Sequence, residues 1–465
     1  MKGARDLPVK TRVTAAAPPI RQSAVPEGPR ARWFGEHVLA LKRNRLEFLQ
    51  RMARYGDVAH VRIGPQPIYL FRHPDAIKDI LVVQHRNFTK GRGLQRAKRL
   101  LGEGLLTSEG ALHLRQRRLA QPAFHRQRIA AYATTMAAYS ARSAERWRHG
   151  MELDIAEEMM RLTLAIAGKT LFDADVESEA EEIGDALTAA LEMFSLALLP
   201  GTELLDRLPL PHTRRFNRAR SRLDAVVYRM IHERRAAGED RGDLLSMLML
   251  ARDVEGDGAG MSDEQLRDEA MTILLAGHET TANALAWTWD LLGRHPDAEA
   301  RLHAEVDALG SATLGMEDVA RLPYTRAVLA ESMRLYPPAW VIGYRAVNAC
   351  TVAGWSIPAR ALCVMSQFIV HRDARWFPDP ERFDPGRWTD DRQAERPRFA
   401  YFPFGGGPRQ CIGEQFAWTE GVLALAEIAR RWRVRPLRPA LAEPYPVFTL
   451  RPRDGVPVRI ERRRA

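Results

Sequence analysis

Cys411 stands at the end of a run of three glycines, a proline and an arginine, in the stretch YFPFGGGPRQCIGEQFAW from Tyr401 to Trp418. Glycines let backbone N–H groups approach an anion closely. The residues after the cysteine have the pattern of a helix from about Gly413 to Arg431, whose N-terminal dipole favours S⁻ over SH. The local design therefore predicts a stabilised thiolate. With no neighbouring Cys or His it makes a poor zinc site, which takes three or four protein ligands. It suffices for a haem iron, because the porphyrin supplies the four equatorial ligands. A phosphate loop is a weak reading, since no Gly-Lys-Ser/Thr ending and no preceding buried strand accompany the glycines. Cys363, in the apolar run ALCVMS, reads as a core thiol and Cys350 as a strand residue.

A second group lies in the longest helical pattern, SDEQLRDEAMTILLAGHETTANALAWTWDLLGRHP. Ser262 and Gln265 form a candidate capping box at its start, and about thirty residues at ~1.5 Å each span roughly 45 Å. Ala276-Gly277 and Thr280-Thr281 place a glycine and two β-branched hydroxyls where strong helix formers are expected, so the helix should be loosened there. Taken alone, Gly277 reads as a site of close helix crossing. The functional alternative is a local groove, with Glu279 and Thr280 facing a buried reaction site. His278 reads as a packed histidine without a ligand role. Glu331 and Arg334, three apart on a helix, read on their own as an ordinary surface ion pair.

The elements that must position these residues belong to a mainly α fold with a small β-rich lobe. DVAHVRIGPQPIYLF, from Asp57 to Phe71, reads as a hairpin split at Gly64-Pro65. The pattern is helical from about 115 to 335, and strands return in TVAGWSIPARALCVMSQFIV. Residues 1–32, with five prolines and little apolar periodicity, read as an extended or disordered leader, and 33–465 as a single domain. The 465 residues are 46% hydrophobic and can bury a large core. Lys and Arg number 69 against 58 Asp and Glu, a net +11, with the arginines spread along the chain. That balance suits a docking face for an acidic protein and gives no RNA-binding pattern, so no nucleic acid is expected. Three cysteines, and no N-terminal run suited to a signal peptide or transmembrane segment, predict a soluble cytoplasmic protein.

Phe404 to Gly413, FGGGPRQCIG, resembles the haem-ligand signature of the cytochrome P-450 monooxygenases at every fixed position. The helix motif Ala276 to Thr281, then Glu331-Ser332-Met333-Arg334, then Pro380-Glu381-Arg382-Phe383 follow in the family's order. The resemblance covers roughly Trp33 to the C-terminus and implies the cytochrome P-450 fold with haem b (iron protoporphyrin IX). It implies Cys411 as the iron ligand, with Phe404 in the haem-binding loop. Arg409, the pair His113 and Arg117, and Arg345 are implied as haem-propionate partners. Glu279 and Thr280 correspond to the acid and alcohol that deliver protons during O2 activation. Arg382 is implied to lock Glu331 and Arg334 behind the haem. Two electrons would come from NAD(P)H through a ferredoxin or flavodoxin and its reductase, to a monomer. Rival readings are a peroxygenase of the same fold and a non-catalytic haem protein. Pocket-lining segments are expected at 88–104, 193–200, 274–281, 339–343 and 447–449. They are largely apolar, which suits a hydrophobic small molecule, such as a fatty acid or terpenoid, hydroxylated at a C–H bond.

Overall fold

Gly64, at φ 56°, turns the chain between the strands Val58–Ile63 and Gln66–Phe71, which pair antiparallel as the hairpin signal predicted. The computed structural model describes residues 25–463 other than 34, 175–183, 185, 187–209, 254–257, 311–312 and 389–392. Most of the leader, and the pocket segment 193–200, lie outside the described residues. Residues 25–32 carry no regular helix or strand, and the Glu27 carbonyl accepts from the His60 N–H at 3.1 Å.

The hairpin joins strands from the far end of the chain. Gln66–Phe71 runs parallel to Leu362–Met365, which is followed across the sheet by Ile342–Ala346 and Phe88–Lys90. The β-rich lobe thus draws on both ends of the sequence. Cys363 is fully buried in it, and Cys350 lies on the strand Cys350–Val352. The strand pattern expected through SQFIV stops at Met365; Gln367–Val370 forms a helical turn whose four side chains are all buried. A short apolar run has no periodicity that separates buried strand from buried helix.

The helical body is arranged around Asp263–Leu292. Ser262 Oγ accepts from the Gln265 N–H and Gln265 returns a bond to the Ser262 N–H, completing the capping box. From Leu266 to Leu292 nearly every side chain is buried. A helix apolar on all sides must run through the core, and this one packs along Ile155–Phe172. It also packs against Glu414–Ala429, the helix that follows the cysteine.

Glu331 and Arg334, on Pro323–Leu335, are both fully buried. Arg334 makes a two-pronged bond to Glu331 at 2.8 and 2.9 Å. The second arginine on Glu331 is Arg387, at 3.3 Å, rather than Arg382. Arg382 is exposed and contributes only its carbonyl, which accepts from Arg334 at 3.1 Å. Trp388 Nε1 and the Asp384 N–H complete the carboxylate's shell at 3.0 Å each. The stretch contains Pro-x-Arg-aromatic twice, at 380–383 and 385–388, and the second copy carries the buried guanidinium. Removing one partner from a buried charge network typically costs several kcal/mol. Arg387→Ala should therefore lower the unfolding free energy by about 3 kcal/mol in urea titration, whereas Arg382→Ala should change it by less than about 0.5 kcal/mol.

Candidate functional site

The cysteine loop is held in one shape by its backbone. The Cys411 N–H donates to the Phe404 carbonyl at 3.0 Å, and Gln410 N–H donates to Gly407 at 3.0 Å. Gly405 and Gly407 adopt φ of 71° and 69°, the left-handed region that favours glycine. At Gly407 a Cβ would also fall 2.0 Å from the Leu81 carbonyl oxygen. The Phe404 ring packs 5.7 Å from Trp418, on the helix that the loop feeds.

Cys411 sits deep in the protein yet keeps accessible surface. Burial pushes its thiol up to about 11; the Gly413 N–H and Arg117 pull the other way, and Glu414 adds to the rise. The loop alone therefore does not hold a thiolate, contrary to the expectation from its glycines and helix dipole. Desolvation outweighs both, and a bound cation would have to supply the missing charge.

A basic shelf borders the loop. Arg117 donates to the Gln410 carbonyl at 2.7 Å, one residue before the cysteine. His113 is buried one turn earlier on Gly110–Ala120. Its Nδ1 lies 3.1 Å from the Leu105 carbonyl, and its Nε2 is buried without a hydrogen-bond partner. Burial and the nearby cations Lys90 and Arg409 depress its imidazole to about 4. Arg409 donates to Glu109 at 2.8 Å, to the Phe88 carbonyl at 2.9 Å and to the His85 carbonyl at 3.2 Å. Its guanidinium also lies 5.3 Å from the Tyr344 ring. Arg345, next along Ile342–Ala346, is exposed and by strand alternation points away from the Tyr344 face. Lys90 lies in the expected pocket segment 88–104 but carries no signal of its own as a buried cation. Its buried ammonium donates to the Leu105 and Ser108 carbonyls at 3.0 and 2.7 Å.

Within the otherwise buried stretch of the long helix, Ala276, Gly277 and Thr280 alone keep partial exposure. Their spacing puts them on one face. A Cβ at Gly277 would meet only Leu171, at 3.8 Å, so the glycine is not there for a close helix crossing. The helix is continuous through this point, so the loosening expected from its glycine and threonines does not occur; the hydroxyls bond to backbone carbonyls within an intact helix. Thr280 Oγ1 donates to the Ala276 carbonyl at 2.8 Å, Thr281 to Gly277 at 3.4 Å, and Thr163 to His278 at 3.0 Å. Three successive carbonyls, of Ala276, Gly277 and His278, thus receive hydroxyls. His278 is buried with Nδ1 on the Leu274 carbonyl, as a packed residue. Glu279 is also buried, with burial raising its carboxyl to about 7 against the Thr449 hydrogen bond and the charge of Arg451. Glu420, on the cysteine helix, is buried beside Thr281 and held well above the usual carboxylate range.

These residues fit an iron porphyrin. Cys411 offers one sulfur to the interior, the Ala276-Gly277-Thr280 face leaves space without bulk, and His113 Nε2 is a buried, unpartnered nitrogen that donates to a carboxylate once the imidazole is protonated. No group of three or more His, Cys, Asp or Glu able to hold a metal without such a cofactor occurs among the described residues.

Comparison with known proteins gives a consistent picture. The family model described as cytochrome P-450 matches residues 26–454. The chain is 42% identical to cyclooctatin synthase of Streptomyces melanosporofaciens, over 94% of this chain and 96% of that protein. It is 39% identical to cyclooctat-9-en-7-ol 5-monooxygenase of the same organism, covering 92% and 93%. Pentalenene oxygenase of Streptomyces avermitilis is 36% identical, covering 86% and 88%. Among solved structures, the cytochrome P-450DA heme domain superposes with a TM-score of 0.84 at 28% identity, over 95% of this chain and 98% of that one.

Glu279 gives a pH-dependent stability signature. Its folded value lies above the ordinary 4.5, so the stability gained by keeping it neutral is full below about 4.5 and is lost as pH rises through about 7. Glu279→Gln should therefore unfold at higher urea than the parent by pH 8, a difference on the order of 3 kcal/mol that vanishes near pH 4. Parallel pH curves for the two proteins would contradict it.

Proposed function

The chain belongs to the cytochrome P-450 family, and on that premise we propose a monooxygenase that hydroxylates a terpenoid, with Cys411 as the ligand to its haem iron. The observation that carries this reading is the Cys411 sulfur, accessible inside the protein at the end of a loop that backbone bonds hold rigid. The relatives support the substrate class, since their names place oxygenation on cyclooctat-9-en-7-ol and pentalenene. When bound, the haem supplies reductive O2 activation, with thiolate donation favouring O–O cleavage. The protein's own part is to hold, orient and supply protons.

Arg117 fixes the ligand loop through the Gln410 carbonyl. His113, as the imidazolium that a neighbouring carboxylate favours, would donate Nε2–H to one propionate, while Arg409 and Lys90 offset the buried negative charge. Arg409 keeps N–H groups beyond those committed to Glu109 and the two carbonyls. Arg345 stands as a further propionate partner from the exposed side of its strand. Glu279 holds a proton near neutral pH, and Thr280, on the partly open face of the helix, would present its hydroxyl to the haem pocket as the last group in proton delivery. Retention of this pair favours the monooxygenase over a peroxygenase.

Electrons come from NAD(P)H through an acidic ferredoxin or flavodoxin and its reductase, for which the +11 net charge provides attraction. No described helix is long and apolar enough to cross a membrane. The free cysteines Cys350 and Cys363 suit the reducing cytoplasm.

Turnover with ferredoxin, ferredoxin reductase and NADPH on polycyclic terpenes tests the reading, with an oxygenated product expected. Product formed only with added peroxide, or tight spectral binding of small polar compounds alone, would overturn it. Cys411→Ser should abolish the thiolate-type Soret band of the reduced CO complex. Thr280→Ala should retain that band while diverting most reducing equivalents to hydrogen peroxide.

A further inference from the structure

Glu279 is held by a single hydrogen bond, and its partner comes from near the other end of the chain. Thr449 precedes the strand Leu450–Pro452, and its Oγ1 lies 2.6 Å from Glu279 Oε1. Both side chains are almost wholly enclosed, at 2% and 3% exposure. Asn283, one helical turn beyond Glu279, brings its Nδ2 to 3.2 Å from the same hydroxyl. An amide N–H2 only donates, so the threonine oxygen accepts there and its one hydrogen goes to Glu279. Oε1 is thereby fixed as an acceptor. Oε2, buried without a partner, is the oxygen left to carry an exchangeable proton.

The backbone beneath Thr449 is tied from several sides. The Leu450 N–H donates to the Pro338 carbonyl at 2.9 Å, and the Val447 N–H donates to the Thr449 carbonyl at 3.0 Å. The indoles of Trp287 and Trp340 donate to the Leu450 and Val447 carbonyls at 3.0 and 3.2 Å. A hydroxyl on so rigid a support sets the orientation of the side chain it binds.

We propose that Thr449 is a positioning residue for proton delivery: its hydroxyl orients Glu279 and confines the transferable proton to Oε2. The proposal rests on the reading of Glu279 and Thr280 as the proton-delivering pair. In each cycle one proton leaves Oε2 and one from solvent replaces it, with no change in oxidation state at either residue. Arg451 is the charged group that acts on the carboxyl from outside its own helix, and it stays in place when Thr449 is changed.

The test uses the full-length, haem-loaded protein with Thr449→Val, which keeps the side-chain shape, and Thr449→Ser, which keeps the hydroxyl. The infrared carbonyl band of protonated Glu279, identified by its loss in Glu279→Gln, is followed with pH in the resting ferric enzyme. Removing a donor to the carboxylate should move the band's midpoint up by about one pH unit in the valine variant. The peroxide formed per product should rise several-fold, and serine should restore both quantities. An unmoved band in Thr449→Val, or a serine variant that behaves like valine, overturns the proposal. Full coupling in Glu279→Gln and Thr280→Ala would instead remove the proton-delivery reading on which it rests. Loss of coupling in those two but not in Thr449→Val would remove Thr449 alone.

Discussion

The loop that ends at Cys411 has no room for its backbone to move. Gly407 packs so tightly on the Leu81 carbonyl that any side chain would collide. The loop's own bonds, from Cys411 to Phe404 and from Gln410 to Gly407, then set the direction of the residue that follows. Burial works against a charge on this sulfur, lifting the thiol to about 11. The protein supplies geometry, and the haem iron proposed for this sulfur would supply the stabilisation.

The long helix answers the same constraint from the other side. Its burial on nearly all faces gives a rigid rod, and the few partly open positions are the small residues Ala276 and Gly277 and the hydroxyl of Thr280. Rigidity and space are thus combined in one element. The cysteine helix packs against it, with Glu420 beside Thr281, so both halves of the site are referenced to one another through a single helix contact. Behind them the Glu331 carboxylate gathers two arginines, an indole and a backbone N–H. A buried charge so fully bonded tolerates little displacement of the segments it joins.

Much of this was legible in the sequence because the signals are local. The capping box at Ser262, the hairpin at Gly64-Pro65 and the glycines before Cys411 each depend on neighbouring residues, and each appears where its pattern places it. Features set by tertiary packing were not legible. Arg382 and Arg387 occupy near-identical motifs, and only the path of the chain decides which guanidinium reaches Glu331. The helical turn at Gln367–Val370 is apolar throughout and carries no period. The thiol of Cys411 is governed by desolvation, which depends on segments hundreds of residues away. Lys90 and Thr449 fall inside the expected pocket segments 88–104 and 447–449, but nothing in the sequence singles them out, and Thr449's partner Glu279 is distant in sequence.

The central claim is a sulfur–iron bond, and iron K-edge X-ray absorption on the purified ferric protein tests it most directly. One sulfur scatterer at bonding distance should be present in the parent and missing in Cys411→Ser. An iron shell of nitrogen and oxygen alone in the parent, or a sulfur shell that survives the substitution, would contradict the account.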